Sequence, residues 1–141
     1  MEEMSSQDIL QYIPQRPPFV MIDSIVKADG TVSETSFTIR AGHLFVEDGK
    51  FTEPGLVENM AQTAAAGTGY SLMEQGKPVP VGFIGALKAL NVLDMPAVGD
   101  TITTEVSFKT QVLNVHIVQG RVFNKGKEIA NCELKIFLQE S

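Results

Sequence analysis

Apolar and polar residues alternate along much of the second half of the chain, which is the period of half-buried strands. Three stretches at hairpin spacing are therefore predicted strands: Thr101 to Val112, Leu113 to Phe123 and Glu128 to Leu138. Val79 to Leu93 is more continuously apolar and predicts a further strand. Its internal Gly82 and Gly85 suggest bulges or a close approach of a ligand to the backbone.

Two more strands are predicted near the start of the chain. Phe19 to Val26 has the composition of a buried strand, and Thr31 to Arg40 alternates as its returning partner. Asp29-Gly30 between them is a strong signal for a two-residue hairpin turn.

Between these two groups the apolar spacing becomes helical, from about Pro54 to Gln75. Pro54 suits a first helical position, and Gly76 suits the end of the helix. The predicted buried face is made mostly of small residues: Val57, Met60, Ala61, Ala64, Ala65, Thr68 and Leu72. Because small side chains let other backbone approach closely, we expect this helix to be surrounded. The sequence thus predicts an α+β fold in which one curved antiparallel sheet covers a long central helix.

Composition indicates one globular domain over residues 1–141 and narrows the classes of function. Eleven basic and seventeen acidic residues give a formal charge of -6, which disfavours a nucleic-acid partner. The lone Cys132 and two histidines are too few for a disulfide framework or a cysteine- or histidine-rich metal site. The sequence contains no long apolar run, and its first residues are polar and acidic. We therefore expect a cytoplasmic protein without a membrane span or a secretory signal.

Four segments in order resemble the hotdog-fold 3-hydroxyacyl-carrier-protein dehydratases. They are similar to that family's opening segment, central helix start, channel strand and "P-x-x-G-D" turn: Tyr12-Ile13-Pro14-Gln15-Arg16-Pro17-Pro18-Phe19-Val20-Met21-Ile22-Asp23, Glu58-Asn59-Met60-Ala61-Gln62, Gly82-Phe83-Ile84-Gly85-Ala86-Leu87-Lys88 and Pro96-Ala97-Val98-Gly99-Asp100. The resemblance spans most of the chain and implies a hotdog fold.

One part of the family pattern is absent. Usual members carry "G-H-F-P-G" before the helix glutamate, and its histidine is catalytic. Here the segment reads Phe45-Val46-Glu47-Asp48-Gly49-Lys50-Phe51, which is closer to the dehydratases of aryl-polyene and flexirubin-type pigment pathways. His43 lies fifteen residues before Glu58, whereas alignment on Thr38-Ile39 puts Glu47 or Asp48 nearer the expected position.

Dehydration of a 3-hydroxyacyl thioester needs a base for the C2 proton, an acid for the hydroxyl and donors for the thioester oxygen. Glu58 is the predicted acid/base, since it lies just outside the apolar arc, one turn into the helix. Gln62 at i+4 would orient Glu58 or bind substrate. Free amides around Gly55 would hold the thioester carbonyl. The alternative is a solvated surface Glu-Gln pair.

His43 is the predicted second catalytic group, or else a loop residue at a strand end. In related proteins the histidine and the acid belong to opposite protomers, which implies an inactive monomer. His116 alternates with Val115 and Ile117, so a surface or interface position is predicted for it.

Three further residues are predicted to bind the acyl chain. Phe45 and Phe83 would line a tunnel, and Gly85 would let the substrate approach the strand backbone. The alternative for both phenylalanines is an ordinary place in the core.

The resemblance implies dehydration of 3-hydroxyacyl thioesters on acyl carrier protein to trans-2-enoyl thioesters, in fatty acid or polyene-type biosynthesis, without metal or organic cofactor. One alternative is a hotdog thioesterase whose helix carboxylate activates water. Another is a non-catalytic, acyl-binding subunit of a heteromer. The expected partners are an acyl carrier protein or CoA thioester and a second subunit, in a homodimer, a higher homo-oligomer or a heteromer with another dehydratase.

Overall fold

The computed structural model describes residues 9–139. Its elements in chain order are β1 (Ser24–Ala28), β2 (Val32–Thr38), β3 (Val46–Glu47), β4 (Lys50–Phe51), α1 (Glu53–Glu74), β5 (Gly82–Val92), β6 (Thr101–Val112), β7 (Val115–Asn124) and β8 (Lys127–Leu138). Strands β6 and β8 agree with the predicted ranges to within a residue.

Six strands form one antiparallel sheet in the order β1-β2-β6-β7-β8-β5, and α1 packs against it. Since β1 and β2 precede the helix and β5 to β8 follow it, the long-range pair β2–β6 joins the two halves of the chain. The predicted architecture of one sheet around a central helix is therefore confirmed.

Helix α1 begins and ends where its local sequence predicts. Thr52 has extended backbone at the N-cap, and Pro54 follows in the first turn. At the other end Gly76 adopts a positive φ of 72°, and the Lys77 N–H donates to the Leu72 carbonyl. This left-handed residue closes the last turn, which is why glycine is needed there.

The helix is buried on more sides than its apolar face predicts. Its buried residues include polar and glycine positions as well as apolar ones: Gly55, Leu56, Asn59, Met60, Ala61, Gln62, Thr63, Ala64, Ala66, Gly67 and Gly69. Val57, Ala65, Thr68 and Leu72, which were predicted on the buried face, are only half-buried. The helix is thus surrounded as expected, but one flank of the predicted face borders a cavity instead of core.

The segment before β1 does not form the predicted strand from Phe19. The Met21 N–H donates to Gln62 Oε1, and Asn59 Nδ2 donates to the Met21 carbonyl, both at 2.7 Å. Because helix side chains satisfy this backbone, the segment runs along α1 and joins the sheet only at Ser24.

The same segment packs directly on helix backbone further along. A Cβ atom at Gly69 would overlap the carbonyl oxygen of Tyr12. Tyr12, Ile13 and Ile22 are buried here in a small second core beneath α1. The glycine is therefore required by the close approach of two backbones.

A short hairpin of β3 and β4, which the sequence pattern does not predict, leads into the helix. Asp48 and Gly49 turn it with φ values of 52° and 76°. Both the N–H and the hydroxyl of Thr52 donate to the Phe45 carbonyl at 2.9 Å. The hairpin thus fixes the start of α1. Over residues 9–139 the structure has no helix long and apolar enough to cross a membrane.

Candidate functional site

A largely apolar cavity of about 290 Å³ lies between α1, the segment before β1 and strands β5, β7 and β8. On the helix side it is lined by Glu58, Ala61 and Ala65, and on the sheet side by residues that include Phe83 and Ile136. Small helix residues leave the space open. A cavity of this size and lining fits a flexible apolar chain.

Glu58 brings a carboxyl group to the wall of this cavity. Burial beside apolar side chains raises the pKa of Glu58, while its hydrogen bond from Gln62 opposes that rise. The net direction is upward. Glu58 therefore holds a proton at a higher pH than an exposed glutamate, which suits a group that gives a proton to a leaving hydroxyl.

Gln62 lies behind Glu58 and does not line the cavity. Its Nε2 donates to Glu58 Oε1 at 3.2 Å and to the Phe19 carbonyl at 2.9 Å. Its Oε1 accepts the Met21 N–H. Since both donors are used within the protein, this buried amide orients Glu58 and holds the neighbouring segment. Gln62 therefore has no free N–H group for a substrate, so its predicted contact with substrate is not supported.

A second buried amide fixes the same turn of the helix. Asn59 donates to the Met21 carbonyl and accepts the Thr104 hydroxyl, which ties α1 to β6. Thr63 continues this network with its hydroxyl next to that of Thr35 at 2.7 Å. Glu58 therefore projects from a helix whose rotation is held on its opposite face by polar contacts.

The raised pKa of Glu58 gives an expected pH dependence of stability. The folded chain holds this proton more tightly than the unfolded chain, so protonation stabilises the fold below the ordinary glutamate pKa. That contribution is lost as the pH rises through the raised pKa. Denaturant unfolding from about pH 4 to pH 8 should show a steeper loss for the wild type than for Glu58→Gln. Equal slopes for the two proteins would contradict the assigned burial of the carboxyl.

His43 does not share the cavity of Glu58 within one chain. Its Nδ1 accepts the Phe45 N–H at 3.1 Å, and its ring packs on Phe37 and Phe51 with centroids 5.6 and 5.7 Å away. Its Nε2 is buried and finds no hydrogen-bond partner in the described part of the chain. The predicted pair of Glu58 and His43 is thus not assembled inside a single subunit.

The other predicted binding residues divide into one at the cavity and three elsewhere. Phe83 lines the cavity. A Cβ at Gly85 would overlap the Phe137 ring, and one at Gly55 would lie 2.7 Å from the Phe51 ring and 3.0 Å from Phe45. Gly85, Gly55 and Phe45 are therefore packing positions outside this cavity. The predicted contact of Gly85 and Phe45 with an acyl chain is not supported by where they lie. That the amides around Gly55 hold the thioester carbonyl stays a prediction.

His116 lies at the cavity, and the predicted surface or interface position is wrong. Its ring lines the cavity and meets Phe108 edge-on at 6.0 Å. Burial lowers its pKa. The prediction rested on the alternation of His116 with Val115 and Ile117, but these two neighbours are themselves only half-buried. His116 has the parity of the buried Val118 and Val122, and that longer pattern places it on the inner face.

Cys132 is buried against the helix, with Sγ 3.7 Å from Met60 Sδ. Burial raises the pKa of this thiol to about 11, so it stays protonated and unreactive at neutral pH. Among residues 9–139 no three histidine, cysteine or acidic side chains are placed to hold a metal ion. The titratable group that the cavity offers at its helix side is Glu58.

A long helix packed against one large antiparallel sheet is the architecture of the hotdog fold. Residues 7–141 match the ApeP-like family, described as ApeP dehydratase. The chain belongs to this family, which confirms the resemblance seen in the sequence.

Curated relatives carry a related name. Over 95 residues the chain is 40% identical to the 3-hydroxyacyl-[acyl-carrier-protein] dehydratase FabZ of Brucella ovis. The protein of that name from Brucella abortus (strain S19) matches equally. The aligned part covers 60% of this chain and 57% of each relative, so it spans little more than half of their length.

Solved structures share the fold at low sequence identity. The dehydratase heterocomplex ApeI:P from Xenorhabdus doucetiae matches with a TM-score of 0.88 and 16% identity, covering 94% of this chain and 91% of that one. The PaaI protein of E. coli matches with a TM-score of 0.64 and 17% identity over 80% of both chains. These likenesses confirm the predicted hotdog fold.

Proposed function

We propose that this chain dehydrates 3-hydroxyacyl thioesters, carried on acyl carrier protein, to trans-2-enoyl thioesters. The observation that carries the proposal is the half-buried Glu58 carboxyl, oriented by Gln62 at the wall of an apolar cavity. The ApeP-like family and the relatives named as 3-hydroxyacyl-[acyl-carrier-protein] dehydratases support this reaction. The buried, inert thiol fits the reducing cytoplasm in which we place it.

In the proposed reaction a base takes the C2 proton and the electron pair of that bond forms the C2=C3 double bond. The C3–O bond breaks, and the hydroxyl leaves as water with a proton from an acid. Protonated Glu58 is the acid, and its raised pKa keeps the proton available. Once the base returns its proton to solvent and Glu58 regains one, the site is reset.

We assign the base to a second subunit, because His43 of the same chain lies outside the Glu58 cavity. His43 is the candidate base, since its Nε2 has no hydrogen-bond partner among the described residues and the residue lines a surface groove of its own chain. This fits the family expectation that histidine and acid come from opposite protomers.

The edge strand β5 is the surface on which we propose that the second subunit docks. Its described pairing is to β8 alone, and Phe83 and Leu87 on it are 57% and 43% exposed. An eleven-residue, apolar, unpaired edge is a template for another strand. The occupant is a second hotdog subunit, and the heterocomplex ApeI:P is a structural precedent for a pair of different subunits.

Leu87→Glu is expected to break this association, since it places a charge against an apolar edge. We expect the assembly to dissociate and turnover to fall at least about tenfold, because the base comes from the partner. Sedimentation and enoyl formation measure both effects.

The matched control is Leu113→Glu in the β6–β7 turn, where the side chain is 88% exposed and strand β8 lies between β7 and β5. It should leave assembly and turnover unchanged. An L87E protein that still assembles would reject β5 as the interface. A wild-type chain that is monomeric alone and assembles only with another dehydratase subunit would identify the heteromer.

The reaction itself is tested by supplying 3-hydroxyacyl thioesters on carrier protein or CoA and following enoyl formation and free thiol separately. Enoyl product without thiol is the expected result. Thiol release from acyl-CoA without enoyl formation would instead identify a thioesterase. A third outcome is turnover that requires a second dehydratase and does not change with Glu58→Gln. This outcome would identify the chain as a non-catalytic subunit.

A further inference from the structure

Two polar atoms in the lining of the Glu58 cavity have no use in the proposed reaction. Gln15 Oε1 and His116 Nε2 are buried, and neither has a hydrogen-bond partner among the residues that the structure describes. Both residues line this cavity. Buried polar groups in proteins are nearly always satisfied, so these two atoms mark places in the lining where a polar group of a bound molecule would find a partner.

His116 lies further along the helix than Glu58. The Phe108 ring that it contacts is 3.5 Å from the position of a Cβ at Gly67, so His116 is near the level of Gly67. Gly67 is nine positions after Glu58, which is about 13 Å along the helix axis.

Gln15 lies at a similar level along the helix axis. It follows Tyr12, whose carbonyl abuts Gly69, and precedes Phe19, whose carbonyl accepts from Gln62. It is therefore between the levels of Gln62 and Gly69. The two unpartnered groups thus lie in the half of the cavity remote from the Glu58 carboxyl.

The chemistry of the two groups suits a hydroxyl. Burial favours neutral His116, which has one N–H donor and one acceptor nitrogen, and Gln15 Oε1 is an acceptor. A hydroxyl both donates and accepts, so it satisfies either residue. A plain alkyl end satisfies neither and leaves both atoms unpaired.

We propose that His116 and Gln15 recognise the distal end of the acyl chain and select chains that end in a hydroxyl over chains that end in a methyl. This specificity rests on the proposed function, because it requires the acyl group to run from Glu58 into the half of the cavity that His116 and Gln15 line. Neither residue touches the reacting carbons, so both determine specificity and leave the chemical step to Glu58.

The test compares 3-hydroxyacyl thioesters of equal length that end in a hydroxyl or a methyl group, over a series of lengths. For the wild type we expect kcat/KM to favour the hydroxyl-ended chain at least about tenfold at the length that reaches His116. His116→Phe keeps the aromatic contact and removes the hydrogen bond, so this preference should fall to within about threefold. Turnover of methyl-ended chains should be retained.

Gln15→Leu should lower the same preference, whereas Gln111→Leu should leave it unchanged. Gln111 is the β6 neighbour of His116, is exposed, and lies outside the Glu58 cavity. A wild type without preference at any length, or a His116→Phe protein that loses both substrates equally, would overturn the proposal.

Failure of the proposed reaction is separable from failure of this inference. If no 3-hydroxyacyl thioester is dehydrated, calorimetric binding of hydroxyl-ended and methyl-ended acyl thioesters replaces turnover. Tighter binding of the hydroxyl-ended probe that His116→Phe abolishes would support the recognition site without the reaction. Equal binding of both probes would overturn it.

Discussion

Replacing Glu58 by glutamine is expected to lower the dehydration rate by about a hundredfold to ten-thousandfold. Glutamine keeps the size of the side chain and removes the proton that the leaving hydroxyl needs. The loss should appear in kcat, because the apolar cavity that binds the acyl chain is unchanged. Enoyl formation under saturating substrate measures it.

The control for this result is Glu53→Gln. Glu53 is in the first turn of the same helix but is exposed and outside the Glu58 cavity. It should keep turnover within about twofold of the wild type. Glu58→Gln should also fold, since no ion pair involves this carboxyl among residues 9–139. Undiminished turnover in a folded Glu58→Gln protein would remove Glu58 as the acid.

The second large effect concerns stability. Gly69→Ala is expected to destabilise the fold by about 2 to 3 kcal/mol. In an ordinary helix interior, replacing glycine by alanine stabilises by about 1 kcal/mol. A loss of stability at Gly69 would therefore indicate the close contact. The reversal arises because the new methyl group would overlap the Tyr12 carbonyl oxygen, a backbone atom. The free energy of unfolding in denaturant measures it.

Ser71→Ala, two residues further along the same helix, separates helix propensity from this overlap. Ser71 is only half-buried, so a change within about 0.5 kcal/mol is expected. Gly69→Ala should also reduce turnover, because the displaced segment carries the Met21 and Phe19 contacts of Gln62. A Gly69→Ala protein more stable than the wild type would show that the segment is not packed as described.

Local pattern was sufficient for the elements that their own residues specify. The helix was predicted over Pro54 to Gln75 and occupies Glu53–Glu74, because proline at its start and glycine after its end are local signals. The strand predicted at Thr101 to Val112 has those bounds, since its alternation is intrinsic to the segment. The pairing of Glu58 with Gln62 follows from helical spacing alone.

Long-range contacts decided what the pattern predicted wrongly. Phe19 to Asp23 has the apolar composition of a strand, yet Gln62 and Asn59, about forty residues away in sequence, take its backbone hydrogen bonds. Gly85 was expected to let a ligand approach the strand backbone, but the ring of Phe137 fills the space beside it. The residues next to a glycine in the sequence do not indicate which distant side chain packs against it.

The sequence by itself determined the fold class, the central helix and the position of Glu58 on it, because these depend on periodicity and on residues adjacent in the chain. Only the tertiary structure brought His116 and Gln15 to the cavity of Glu58 and left His43 outside it. A cavity wall is assembled from segments far apart in sequence. Its polar composition is therefore set by how the sheet and the first segment close around the helix.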